Sequence, residues 1–166
     1  PPKKLLESLK IEFAASFPLA EFVQETFLNE DSPLYNEDHQ HLQQARIGYL
    51  WTNVPNQKQM RGVVGTAEIP KPSPMASGWE KARYYYQLWD WFKTEKLDFL
   101  ITLDAKYISA ASHITFLAIL DHELYHCGHK IDEFGAPMFN NRTGKPIFGL
   151  LRHDVEEFVG IWRRYG

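Results

Sequence analysis

Residues 112–127 read Ser-His-Ile-Thr-Phe-Leu-Ala-Ile-Leu-Asp-His-Glu-Leu-Tyr-His-Cys. Phe116, Leu117, Leu120, Leu124 and Cys127 recur at helical spacing, and Gly128 stands where such a helix would stop. The stretch predicts a long, mostly apolar helix that carries His122-Glu123-Leu124-Tyr125-His126 near its end. Cys127 adjoins His126 but falls on the core side, as a small buried apolar residue rather than a nucleophile.

His122 and His126 lie four apart, so a helix projects both rings from one face, about one turn apart. Two imidazoles so placed can share one metal ion. Glu123 falls roughly 100° around from His122, close enough to reach a water on that ion without being a ligand. Zinc accepts nitrogen donors readily, and catalytic zinc keeps one position open for water. The water's pKa drops to roughly 7, and a neighbouring glutamate takes its proton. His122 and His126 are therefore candidate Zn2+ ligands, and Glu123 is the candidate general base of a hydrolysis. The bare pattern arises by chance in on the order of one or two per cent of such chains. Its helical context is what sets it above a pair of surface histidines beside a salt-bridging glutamate.

Two histidines leave the site one ligand short. The run Arg152-His153-Asp154-Val155-Glu156-Glu157-Phe158 supplies candidates. Asp154 and Glu157 have capping-box spacing, and Val155, Phe158, Val159 and Trp162 form an apolar stripe. His153 then sits just ahead of a helix, where its ring can turn toward the metal. Glu156 is the rival ligand, with Glu157 behind it, since nitrogen and oxygen donors both suit zinc. Asp132 occupies the last position of the longer pattern His-Glu-x-x-His-x-x-Gly-x-x-His/Asp, but His129 stands in the glycine slot, which argues against it. His129 lies three residues after His126 and would not reach the same ion. His39 and His41, in a polar stretch, read as exposed loop histidines. Tyr125, Arg152 and Tyr165 are the candidate donors to a developing oxyanion.

Outward from the helix, residues 98–108 form the best strand candidate, and within them Ile101 to Tyr107 lie just upstream of the motif, where zinc peptidases place the edge strand that holds extended substrate. Residues 45–54 and 62–69 look like an antiparallel pair. Residues 5–28 suggest two short helices broken at Phe17-Pro18, residues 79–93 another helix, and residues 154–164 a last amphipathic one. Residues 29–38, 70–78 and 135–149 are rich in turn formers and read as loops. Tyr85, Trp89 and Trp91 line a groove or pack in the core, the latter being the simpler reading.

The 166 residues leave room for a real hydrophobic core. Net charge is −3, so nothing draws the chain to nucleic acid or anionic lipid. One cysteine excludes an intrachain disulfide and a Cys-rich zinc knuckle. No stretch approaches a membrane span and no secretory signal opens the chain, so a cytoplasmic protein is expected.

Asp-His-Glu-Leu-Tyr-His-Cys, a Gly/Pro-rich spacer, then His-Asp-Val-Glu-Glu-Phe before a closing Arg-Tyr-Gly resembles the putative phage metallopeptidase family, from about Ala45 to Gly166. The resemblance implies a compact zincin-like fold and a bacteriophage or prophage source. It carries His122, Glu123 and His126 over as ligand, base and ligand, points to the His153 region for the rest, and names no substrate. The combined expectation is one α+β domain over residues 1–166, with a helical extension (1–44) and a zincin-like core (45–166). In that core a small, mostly antiparallel sheet packs on the His-Glu-x-x-His helix. It would be a zinc peptidase acting on a peptide or protein substrate in the bacterial host cytoplasm. The rival from another class is a catalytically silent zinc-binding accessory protein that binds a host protein. The intact glutamate favours the enzyme, because a structural zinc site needs no base and closes all four positions.

Overall fold

The chain alternates short helices and strands, as its mixed periodicities demand. The structure, a computed structural model, describes residues 1–58, 61–152 and 159–165. In chain order these are α1 (Lys3–Glu7), β1 (Phe13–Ala15), α2 (Phe17–Val23), a π turn (Gln24–Leu28) and a 3-10 segment (Glu37–Gln44). Next come β2 (Ile47–Thr52), β3 (Asn56–Lys58), β4 (Arg61–Val63), β5 (Gly65–Glu68), α3 (Gly78–Phe92) and β6 (Phe99–Asp104). The chain closes with α4 (Ala105–Ala110), α5 (His113–His126), β7 (Cys127–His129), β8 (Phe148–Leu150) and α6 (Val159–Tyr165). The architecture is α+β, with a mixed four-stranded sheet in the order β1-β2-β6-β5 and two hairpins, β3-β4 and β7-β8.

Residues 45–54 and 62–69, expected as an antiparallel pair, do not meet. β6 lies between them, parallel to β2 and antiparallel to β5. The central pair is thus parallel, and only the outer pairings are antiparallel. A parallel neighbour requires a long crossover, which β3, β4, β5 and α3 supply. Strand β6 also ends sooner than expected. Asp104 turns the chain, its carboxylate accepting from the Tyr107 N–H to cap α4. Likewise, residues 5–28 hold β1 between their helices and end in the π turn rather than a second plain helix.

Period-two alternation divides the sheet's side chains between two faces. Tyr49, Trp51, Phe99, Ile101 and Leu103 join Leu117, Leu120 and Leu124 of α5 in the main core. Full burial of a leucine such as Leu120 contributes roughly 1.5–3 kcal/mol. Leu50 and Leu100 point to the opposite face and are buried outside that cluster, as is Leu88 of α3. Helix α3 crosses this second face: Phe92 and Leu97 close over Gly48, and Trp91 meets Phe13 of β1 at 6.1 Å between ring centres. A capping box of Ser77 and Glu80 starts α3, and Lys93 ends it in the left-handed region at φ 56°.

The first 44 residues enter the same core, through Leu5, Leu19, Val23, Phe27, Leu28 and Leu42. A buried ionic hub ties them to α5 and α6. Asp121, 0% exposed, accepts from His39 Nε2 at 2.6 Å and Asn36 Nδ2 at 3.1 Å, and pairs with Arg164 Nε at 2.9 Å. Arg164 also donates to the carbonyls of Leu34 and Tyr35. His39 is therefore no exposed loop histidine, being 1% exposed.

Removing one partner of a buried ion pair costs about 3–5 kcal/mol, because the others remain desolvated. Asp121→Ala should lower unfolding stability by about that amount, seen as a drop in the urea midpoint. A loss below about 1 kcal/mol, the range of an exposed pair, would show that the hub does not hold these segments together.

Candidate metal centre

Helix α5 begins at Ser112, whose hydroxyl accepts from the Thr115 N–H, and its apolar stripe fixes it against the sheet. That leaves three other directions for polar side chains. Asp121 points along one flank into the hub, Glu123 along the other toward β5, and His122 and His126 away from the core, both half-buried. The ring centres of His122 and His126 are 5.0 Å apart, with planes at 75°. Two imidazoles disposed tetrahedrally about one ion with Zn–N of about 2.0–2.1 Å have ring centres roughly 5 Å apart. The donor pair fits a metal of that kind.

His126 Nδ1 lies 2.9 Å from the Leu151 carbonyl oxygen. A carbonyl only accepts, so Nδ1 carries the proton and the ring's lone pair sits on Nε2. Such a carbonyl partner is the usual orienting contact of a metal-binding histidine. The contact exists because α5 passes into β7 without a loop, and β7 pairs with β8 just before Leu151. Gly128 is no left-handed cap: the helix ends at Cys127 (φ −81°, ψ 81°), and a side chain at 128 would collide with that of Leu151.

Glu123 is 4% exposed, and its carboxylate lies against the backbone of Gly65 in β5. Cys127 is fully buried, its Sγ 3.4 Å from the Glu123 carbonyl oxygen. Burial, then the charge of Glu123, pushes its thiol well above the usual range. The Tyr125 hydroxyl donates to Asp38 Oδ2 at 2.7 Å and accepts from Asn36 Nδ2. Burial first, with Asp38 and Asp121 adding to it, raises its pKa to about 12. Tyr125 is thus a strut between α5 and the N-terminal segment, not an oxyanion donor.

Of the other candidates, His129 Nε2 donates to the Met138 carbonyl, and Asp132 Oδ1 accepts from the N–H groups of Phe134 and Ala136. Both serve the turn-rich arm after β7. His41 Nε2 donates to the Cys127 carbonyl, and burial lowers its pKa. Arg152 is exposed, whereas Tyr165 packs beside Asp121 with its pKa raised by burial to about 12. Tyr85 and Trp89 are exposed on α3, across the sheet from α5. His153, Glu156 and Glu157 lie outside the described residues, and among the described residues no set of three or more His, Cys, Asp or Glu could hold a metal. An apolar cavity of about 540 Å3 between α2, β2 and the end of α3 takes no residue from α5. Asp121, Asn36, Arg164 and Gly65 escaped sequence reasoning; an aspartate inside an apolar helical run was the one visible signal.

A family model described as putative phage metallopeptidase matches residues 20–166. The match begins ahead of residue 45 and so takes in the 3-10 segment that carries His39. No curated protein and no solved structure matches the chain.

A thiol that is buried and held protonated does not react. Cys127 should resist Ellman's reagent in the native protein and titrate as one thiol per chain after denaturation; rapid native labelling would contradict its placement.

Proposed function

The chain belongs to the putative phage metallopeptidase family, and from that premise we propose that it is a zinc-dependent peptidase whose general base is Glu123. His122 and His126 hold the metal, His153 completes the set, and Glu156 is the alternative third ligand. The observation that carries the reading is the pair of imidazoles 5.0 Å apart, beside a carboxylate withdrawn from solvent on the same helix.

When bound, Zn2+ supplies a Lewis acid that polarises the scissile carbonyl and acidifies water to a pKa near roughly 7. The chain's own residues do the rest. Glu123 takes the proton of the attacking water and returns it to the leaving amine. Leu151 holds the His126 ring by Nδ1. Support for His153 comes from connectivity: it follows Leu151 by two peptide steps, which span at most about 7.6 Å between Cα atoms.

A peptide or protein substrate suits the neighbouring strand. β5, not the region from Ile101 to Tyr107, forms the sheet edge on this side, since β6 is flanked by β2 and β5. Among the described residues no strand pairs with the outer edge of β5, and its Gly65 touches Glu123. An extended peptide added there would lie along the base. No described helix is long and apolar enough to cross a membrane, which suits a phage- or prophage-encoded enzyme working in the host cytoplasm.

One observation favours a second reading, a catalytically silent zinc protein that binds a host protein. Trp79, Tyr86 and Trp89 are 90%, 70% and 50% exposed on α3, an aromatic face on the side of the sheet away from α5.

Purified protein should contain one zinc, lost in His122→Ala and His126→Ala. Glu123→Gln should keep the metal and lose roughly 10²–10⁴-fold in peptide hydrolysis. Unchanged hydrolysis by Glu123→Gln would refute the base assignment. Host function surviving in that variant would establish the binding reading.

A further inference from the structure

Gly65 opens β5, and nothing in its backbone calls for glycine: among the described residues the glycines with positive φ are Gly135 and Gly144. It pairs with Leu103, whose side chain lies in the main core on the α5 side. Partners across an antiparallel pair share a face, so a side chain at 65 would point at α5. A Cβ built there meets Glu123 Oε1 at 2.5 Å, and Cδ and Cγ at 3.0 Å each. The three nearest heavy atoms all belong to Glu123. By contrast, a Cβ at Gly62 or Gly78 meets nothing.

We propose that Gly65 is a positioning residue for Glu123: the missing side chain forms the seat in which the carboxylate lies against the edge strand. The inference rests on the reading of Glu123 as general base and adds a residue outside the metal-binding helix. One methyl group at position 65 forces the carboxylate to move, because contacts this short are not tolerated between unbonded atoms. A base displaced by about 1 Å costs roughly 10²-fold in rate. The three atoms nearest the new methyl group all belong to Glu123 and none to an imidazole, so metal affinity should be spared. The methyl points toward α5 rather than along the strand's outer edge, so substrate affinity is spared too.

The experiment is a double-mutant cycle with two readouts. In thermal unfolding of the metal-free protein, Gly65→Ala should lower Tm when Glu123 is present and leave it unchanged in a Glu123→Ala background. In kinetics with zinc bound, Gly65→Ala should lower kcat roughly 10²-fold, with KM and the Co2+ dissociation constant within about twofold. An equal Tm loss in both backgrounds, or failure of both to fold, would overturn the proposal, as would a kcat that stays at the wild-type value. The unfolding cycle reads the contact without any activity, so it separates a failed seat from a failed base assignment, which Glu123→Gln reports on its own.

Discussion

A carboxylate sealed from water must find its counter-charge and hydrogen-bond donors inside the protein, and Asp121 finds them in segments far apart in the chain. Its partners are Asn36 and His39 from the segment between α2 and β2 and Arg164 from the last helix. Burying such a charge costs several kcal/mol unless geometry and donors are supplied in full. The rotation of α5 about its own axis is thereby set. With Asp121 locked on one flank and Leu120 and Leu124 in the core, His122 and His126 have to face outward, and Glu123 has to face β5. The candidate centre is what remains of α5 once its other sides are spoken for.

The sheet separates two unlike halves. On one face the strands meet α5 and the N-terminal elements in a continuous apolar core. On the other, α3 lies across the strands with Leu88 as its buried anchor, and its remaining aromatic residues are spread between partial burial and solvent. Glu68 at the end of β5 is exposed on this second face, though partial loss of water still raises its carboxyl pKa. The candidate centre and the core share one side; the other carries a helix held mainly by Leu88 and the rings of Trp91 and Phe92.

Local signals were legible in the chain and long-range pairings were not. The helix bearing His122 and His126 followed from its apolar spacing, and α3 lies within one residue of residues 79–93 because the turn-forming run before it contains its cap. The place of β6 between β2 and β5 could not be read, because strands covered on both faces show an apolar run that does not name its neighbour. His39 was misread for a related reason: a polar neighbourhood suggests solvent, whereas its partner lies 82 residues away. Gly65 gave no signal at all, since its reason is the bulk of a side chain from another element. His153 and Glu156, from the motif that pointed beyond α5, fall outside the described residues.

The junction of α5 with β7 has a consequence for how such a protein can diversify. The two strands grip each other at Cys127 and Leu150, immediately beside the rings that would bind metal. Beyond that grip the intervening turns hang outward, with Phe134 nearly fully exposed. Closing a longer loop adds little entropy cost per extra residue. The overhanging arm can therefore be lengthened, shortened or rewritten over generations while its root stays unchanged, which makes it a natural place for selection to vary what lies near the paired imidazoles.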